Sequence, residues 1–286
     1  MVPNKGALPK KEPAPNQKGS GPVIAHPKKP IPWKNYLVKF GFYAGVVGLW
    51  ELLCLLELWP PYIFPSPVSV AQTLYRGFED KSLLIGIGIS MERLIIGYSI
   101  SVVLGVTLGL LLGRVRYLEQ SVGSAVLGLQ ALPSICWLPA AILWFGLNQT
   151  AIIFVVFMGS FLSIAISTEA GVKQIPPLFI KNAKILGIKG WRFYWEVILP
   201  GTLPAIVTGM KLGWSFAWRS LMAGELLYVN LGLGYLLQLG RDLNDMSLIF
   251  AVMVVIVAIG LLVDHLIFAV VERRIKRRWG LLAEEH

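Results

Sequence analysis

The side chains of this sequence that could do chemistry are ionisable residues within long apolar runs. Arg219 lies deep in one run with Glu225 near its end, and Asp264 and His265 are neighbours in another. An ionisable group at the middle of a membrane costs roughly 2.5–3.5 kcal/mol to insert, so it usually has a partner or a function. Arg219 therefore either attracts an anion or forms an internal ion pair with Glu225, Glu92 or Glu51.

For the other ionisable residues in the apolar runs, a functional role and a structural role are again the two alternatives. Glu225 is interpreted as a gate or helix-packing contact, or else as a solvated helix end. Asp264 and His265 are interpreted as a structural pair rather than a proton relay. Trp218 accompanies Arg219 on the same helix, so Arg219, Glu225 and Trp218 are the candidate pathway residues.

These residues do not suggest a catalytic centre. A hydrolase or transferase within the membrane needs a nucleophile or metal set converging at one depth, and the chain has three His and two Cys. Both Cys54 and Cys136 fall in apolar runs, as small buried hydrophobes do, and imply neither a disulfide nor a metal framework. No Gly-x-x-x-x-Gly-Lys-Ser/Thr sequence is present to hold nucleotide phosphates. We expect no enzymatic activity, no catalytic residue, no metal and no cofactor bound by this chain.

The composition indicates the elements that position these residues. Hydrophobic residues make up 55% of the 286 residues and charged residues 15%, against about 25% charged in soluble proteins. Several apolar runs reach the roughly 20 residues that a membrane-spanning helix needs. The chain is therefore predicted to be an all-α polytopic membrane protein with six transmembrane helices, at about 37–58, 88–112, 121–145, 149–168, 203–226 and 247–271.

The segments outside the spans have distinct compositions. Residues 1–34 are rich in Pro, Gly and Lys and are predicted to be a disordered, basic cytoplasmic tail. Residues 35–278 form the transmembrane domain, and 279–286 a short cytoplasmic end. Val68 to Phe78 has apolar residues at helical spacing and is predicted to be an amphipathic surface helix.

The distribution of basic residues predicts the orientation. The net charge of +10 could suggest a nucleic-acid partner, but Lys and Arg lie mostly at the ends of apolar segments, which favours contact with membrane lipid and no nucleic acid. With both termini inside, 20 of the 26 Lys and Arg are cytoplasmic. Two lie within a span, and four are assigned outside: Arg76, Lys81, Arg93 and Arg241. Such a bias places the positive side in the cytoplasm.

Small residues predict how the helices pack. Along the second span they recur every four residues from Gly97 to Gly113, and along the fifth at Gly209, Gly213 and Ala217. Strips of this kind let another membrane helix approach closely. Pro133 and Pro139 remove backbone donors and are expected to bend the third span.

The most informative cytoplasmic segment runs from 169 to 200. Pro176-Pro177 can begin a helix, Phe179, Ala183 and Leu186 share one face, and Lys181 and Lys184 lie outside it. Gly187 provides a helix stop. A short amphipathic helix with an apolar face left open is suited to a groove in a partner protein.

This segment resembles the EAA loop of binding-protein-dependent ABC importer permeases, which reads Glu-Ala-Ala, three residues, Gly, nine residues, then Ile-x-Leu-Pro. The matching positions are Lys181, Asn182, Ala183, Gly187, Val197, Leu199 and Pro200. Lys181 replaces the Glu, Asn182 the first Ala, and Val197 the Ile. The resemblance covers residues 35–278. It is closest to the permeases for nitrate, taurine and alkanesulfonates, through Phe64-Pro65-Ser66-Pro67, Trp144-Phe145-Gly146, Gly232-Leu-Gly234 and a sulfonate-like run from Ala217 to Glu225.

The resemblance implies a type I importer permease fold in the cell inner membrane. Its loop would form a coupling helix that seats in separate ABC ATPase subunits, which bind the ATP. Substrate would come from a periplasmic or lipid-anchored binding protein, and a second permease copy, most simply identical, would complete the pathway. An aliphatic sulfonate is the expected substrate, with nitrate, taurine, bicarbonate or a pyrimidine precursor as alternatives. An ATP-independent channel or ion-driven carrier is the alternative from another class.

Overall fold

The computed structural model describes residues 33–227 and 231–278. Two units make up the chain, Met1–Val46 and Val47–His286. The described part of the first unit is the beginning of the first helix, α1 (Trp33–Leu55). This helix starts two residues inside the predicted tail. The remainder of that tail and the C-terminal end at 279–286 lie outside the described residues.

The described residues fold entirely into helices and connections, as predicted. After α1 come the helices α2 (Pro67–Glu79), α3 (Ser82–Leu112), α4 (Arg116–Gln130), α5 (Ser134–Phe145), α6 (Gln149–Lys173), α7 (Pro177–Ile185), α8 (Gly190–Leu227), α9 (Leu233–Asp242) and α10 (Met246–Ile275). The predicted amphipathic helix is α2, which begins at Pro67 after Ser66. The Ser66 side chain accepts a hydrogen bond from the Ser69 N–H, which caps the helix.

Four of the described helices, α3, α6, α8 and α10, are long and apolar enough to cross a membrane. The predicted third span is divided between α4 and α5, which meet at an angle of 102° and make a fifth crossing if they are counted as one. The break follows Gln130 and includes Pro133, one of the two prolines expected to bend this span. The described apolar part of α1, Phe40–Leu55, is shorter than 18 residues, so the first predicted span, at about 37–58, stays a prediction.

Helix α6 lies between α3 and α8 and forms the centre of the second unit. Glycines along α3 bring the two backbones close together: a Cβ at Gly97 would lie 2.9 Å from the Ile153 carbonyl oxygen, and one at Gly105 3.0 Å from that of Phe161. On the other face of α6, a Cβ at Gly213 would lie 3.3 Å from the Ser160 carbonyl oxygen. The small-residue strips of the second and fifth spans are confirmed as packing surfaces, and α6 is the helix against which both pack.

Gly109→Ala is expected to destabilise the protein by about 1–3 kcal/mol, because the added methyl group would overlap the Ala165 carbonyl oxygen and the Thr168 side chain. At Gly88, on the same helix, an added methyl group would have no heavy atom within 4 Å. Gly88→Ala is therefore the matched control, and is expected to be neutral or slightly stabilising through helix propensity. Thermal denaturation in detergent measures both, and equal midpoints for the two variants would contradict the close approach.

Candidate functional site

The predicted coupling residues lie in the segment between α6 and α8 and in the first turns of α8. The predicted loop at 169–200 is shorter in the structure, because α6 continues to Lys173 and α8 already begins at Gly190. Between them lies α7, which begins at Pro177 directly after Pro176. The prediction of a short helix started by the two prolines is confirmed.

Gly187 ends α7 in a left-handed turn. Its φ is +72°, a conformation that glycine adopts without steric cost. The Gly187 N–H donates to the Lys184 carbonyl at 3.1 Å, and the Ile188 N–H donates to the Ala183 carbonyl at 3.0 Å. These two hydrogen bonds form a Schellman motif, which satisfies carbonyls left free at the helix end. The helix stop expected at Gly187 is confirmed.

Ala183 attaches α7 to the rest of the protein. It is buried in a hydrophobic cluster with Val172, Ile175, Phe193 and Ile198. Ile180 of α7 is half-buried against the same cluster, whereas Leu178, Phe179, Ile185 and the following Leu186 are exposed. Ala183 therefore faces the protein, while Phe179 and Leu186, expected on the same face, remain accessible to a partner.

The structure brings most of the predicted coupling residues to one cavity. Its volume is about 650 Å³, and Asn182, Ala183, Val197 and Pro200 are among its lining residues. Lys181 is exposed on α7, and Leu199 is half-buried at the start of the apolar part of α8. The exposed Arg192 donates from Nε to Glu196 at 2.9 Å. The result is a mainly apolar, partly open cavity, and Glu196 is its one charged lining residue among the described residues.

Glu225 belongs to a buried network and is not a solvated helix end. Its carboxylate accepts hydrogen bonds from Arg93 Nη1 at 2.8 Å, from Ser90 Oγ at 2.7 Å and from the Gly234 N–H at 2.9 Å. Arg93 and Glu225 are 2% and 1% exposed. Because the Leu233 N–H also donates to Ser90 Oγ at 2.8 Å, the network joins α3, α8 and the beginning of α9.

Two glycines make room for this network. A Cβ at Gly232 would lie 2.7 Å from Glu225 Oε2, and one at Gly234 would overlap the Glu225 side chain. The sequence analysis identifies Glu225 and the run Gly232-Leu-Gly234 as separate features, but it does not identify Arg93 and Ser90 as their partners. Arg93 was assigned to the outer side, whereas it lies within α3. Its position three residues after Ser90, on the small-residue face of that helix, is the signal that could have identified it.

The charges of the last span are paired differently from the prediction. Asp264 forms a salt bridge of 2.9 Å with Lys211 of α8, and His265 Nδ1 lies 3.1 Å from the Leu261 carbonyl oxygen. Asp264 and His265 therefore each have a partner within the protein, and the two partners are different. Neighbouring positions on a helix point about 100° apart, so Asp264 faces α8 while His265 faces elsewhere.

The Arg219 side chain has different surroundings from those of Glu225 and Trp218. Its proposed ion pair with Glu225 is wrong, since Glu225 pairs with Arg93, and within the described ranges no salt bridge joins Arg219 to any acidic residue. Arg219 lines a cavity of about 280 Å³ at the break between α4 and α5. Trp218 instead packs against the two largest hydrophobic clusters. The three candidate pathway residues thus occupy three different environments.

A comparison with protein families identifies the class to which this architecture belongs. Residues 101–277, more than half of the chain, match the family described as binding-protein-dependent transport system inner membrane component. The chain belongs to this family, and it is a membrane-embedded permease subunit of the ABC transporter type.

The similarity to individual relatives extends over most of this chain and most of each relative. An archaeal protein of Methanocaldococcus jannaschii, provisionally assigned as an ABC transporter permease protein, is 34% identical over 81% of this chain and 88% of its own length. The taurine transport system permease protein of Escherichia coli is 28% identical over 81% and 86%. The bicarbonate transport system permease protein of Synechocystis is 31% identical over 77% and 83%.

Proposed function

We propose that this chain is the permease subunit of an ATP-driven importer of a small anion, most specifically an aliphatic sulfonate. ATP hydrolysis takes place in separate ATPase subunits, and α7 is the coupling helix that transmits their closure to the spans. Lys181, Asn182, Ala183, Gly187, Val197, Leu199 and Pro200 form the coupling surface.

The geometry of α7 is the observation that carries this proposal. The buried Ala183 and the half-buried Ile180 attach the helix to the protein, while Leu178, Phe179 and Ile185 are exposed. Exposed apolar residues on a short helix are suited to a partner groove. The Gly187 turn then returns the chain to α8, one continuous helix of 38 residues. A displacement of α7 by the ATPase subunits is thereby transmitted directly to α8, which crosses the membrane.

The anionic substrate class rests on the relatives and on the sequence. The names of two of them specify taurine, which carries a sulfonate, and bicarbonate, which is also a small oxyanion. The run from Ala217 to Glu225 resembles sulfonate permeases most closely. In a binding-protein-dependent system the binding protein makes the first selection, so the permease needs to accept what that protein delivers.

The same proposal specifies the assembly and orientation. An external binding protein delivers substrate, two permease copies, most simply identical, enclose the pathway, and two ATPase subunits bind the coupling surfaces. Both termini lie in the cytoplasm of a cell whose inner membrane contains the protein, because the basic residues concentrate on that side.

Uptake measurements test the substrate. Cells that carry the gene are expected to accumulate labelled ethanesulfonate and taurine, and cells lacking it are expected to lose this uptake. If cells lacking the gene lose nitrate uptake instead, the substrate is nitrate rather than a sulfonate, and the protein is still an anion importer. No difference for any of the three compounds would contradict sulfonate and nitrate as substrates.

ATP dependence separates an importer from a channel or an ion-driven carrier. Uptake into proteoliposomes that contain the purified complex is expected to require ATP on the side where the termini lie. Dissipating the proton and sodium gradients is expected to leave the rate unchanged. Uptake by the permease alone without ATP would contradict the proposed mechanism.

A further inference from the structure

The cavity at the break between α4 and α5 contains a single charge. Its polar lining residues are Gln130, Ser134, Ser163 and Arg219, and the rest of its lining is mainly apolar. Within the described ranges Arg219 is the only ionisable residue that lines it. The volume of about 280 Å³ is just below the range of roughly 300–1,000 Å³ found for small-molecule sites, which suits a small ligand.

Arg219 differs from the other ionisable residues in the apolar part of α8. Lys211 pairs with Asp264 at 2.9 Å and Glu225 with Arg93 at 2.8 Å, whereas no acidic partner of Arg219 occurs in the described parts of the chain. Charged side chains in membrane helices face a partner or a water-filled cavity. Since Arg219 has a cavity and no carboxylate, its charge is available to a ligand.

Neighbouring groups hold the Arg219 guanidinium in position. Its Nε donates to the Ser215 carbonyl at 3.1 Å, and its central carbon lies 4.8 Å from the centre of the Phe216 ring. These contacts use one N–H donor and one face of the group. The terminal amino groups remain as a planar fork, which matches two oxygens of an oxyanion.

Helices α5, α6 and α8 cross beside Arg219, and their contacts position the residues that line the cavity there. The Ser220 and Ser134 hydroxyls are hydrogen bonded with their oxygens 2.7 Å apart, which ties the beginning of α5 to α8. A Cβ at Gly159 of α6 would overlap Ser220 Oγ. The small residue at 159 thus lets the broken helix reach α8 and places Arg219 at the break.

We infer that this cavity is an oxyanion subsite within the transport pathway, in which Arg219 binds the anionic group and Gln130 and Ser163 supply further hydrogen bonds. The inference rests on the proposed function and specifies where the substrate is held inside the permease. The apolar lining accommodates the short alkyl part of a sulfonate. A fork that binds two oxygens favours sulfonate, nitrate or bicarbonate over a halide ion.

Initial uptake rates of labelled taurine, ethanesulfonate and nitrate test the subsite in cells expressing the complete transporter. Arg219→Gln is expected to lower uptake of the transported anion by about 10- to 100-fold, the range for a lost charged hydrogen bond. Arg219→Lys, which keeps the charge but not the fork, is expected to lose less and to become more sensitive to inhibition by chloride. Ser163→Ala is expected to cause a smaller loss. The exposed Arg241→Gln is the matched control and is expected to transport normally.

The outcomes separate the subsite from the proposed function. Wild-type cells that take up none of the three anions would contradict the proposed function. Wild-type uptake with an unchanged rate in Arg219→Gln would overturn the subsite alone. If Arg219→Gln does not accumulate in the membrane, Arg219→Lys decides the question: a wild-type rate with unchanged chloride inhibition would overturn the subsite.

Discussion

Gly187→Asp is expected to abolish uptake while the protein inserts into the membrane and accumulates at the wild-type level. The φ of +72° at this position costs most residues with a Cβ roughly 1–2 kcal/mol, but Asp and Asn tolerate it better than other residues do. A Cβ added there would have no heavy atom within 4 Å, so the substitution leaves the rest of the fold undisturbed. Its carboxylate would enter the interface formed by the exposed Ile185 and Leu186, where losing its water is unfavourable. Uptake and substrate-stimulated ATP hydrolysis by the complex measure the effect.

Two further substitutions at Gly187 separate charge from backbone strain. Asparagine has the shape of aspartate without the charge and tolerates the left-handed conformation, so Gly187→Asn is expected to retain most of the uptake. Gly187→Val is uncharged but β-branched and is expected to transport poorly. Normal substrate-stimulated ATP hydrolysis in the Gly187→Asp variant would contradict the coupling role. An equal loss of uptake in the Gly187→Asp and Gly187→Asn variants would mean that backbone strain alone causes the effect.

Glu225→Leu is expected to destabilise the protein by about 3–5 kcal/mol, as does the removal of one partner from other buried ion pairs. The substitution removes the acceptor of Arg93 Nη1, Ser90 Oγ and the Gly234 N–H at once. Without this acceptor, the hydrogen-bonded contact between α3 and the beginning of α9 is expected to weaken. Thermal denaturation of the purified protein in detergent measures the loss.

A double substitution tests whether the pair is the cause. Arg93→Leu with Glu225→Leu replaces both charges by apolar groups, which is often neutral for buried pairs. The double variant is therefore expected to be more stable than either single variant. Additive losses, or a Glu225→Leu protein as stable as the wild type, would contradict a pair that stabilises this region. The exposed Arg241→Leu is the control for loss of an arginine and is expected to change stability by less than about 0.5 kcal/mol.

Features determined by local chemistry could be predicted from the sequence. Pro67 after Ser66 begins α2 because proline suits the first turn and serine caps it. Gly187 ends α7 because glycine adopts the left-handed conformation freely. The glycines of α3 and α8 identified close helix contacts, since membrane helices pack through small residues. Each of these depends on a residue and its neighbours within one or two turns.

Features determined by contacts distant in sequence could not be predicted in this way. Arg93 and Glu225 are 132 positions apart, and Lys211 pairs with Asp264 rather than with a closer residue. The prolines indicated a bend near 133, but its angle of 102° and the cavity beside it depend on how α5 meets α8. Many acidic residues could pair equally well with a given arginine until the fold brings one of them within reach.

The sequence by itself determined the class of the protein, its membrane-spanning character and the short helix that ends at Gly187, and it predicts a basic cytoplasmic side. These follow from apolar run length, charge asymmetry and local spacing, which act along the chain. Only the tertiary structure decided which charges are neutralised and which remains available. Arg93 is buried against Glu225 and Lys211 pairs with Asp264, whereas the exposed Arg219 has no carboxylate partner among the described residues, which separates the structural pairs from the proposed ligand-binding group. Those distances exist only once α3, α8 and α10 are packed together.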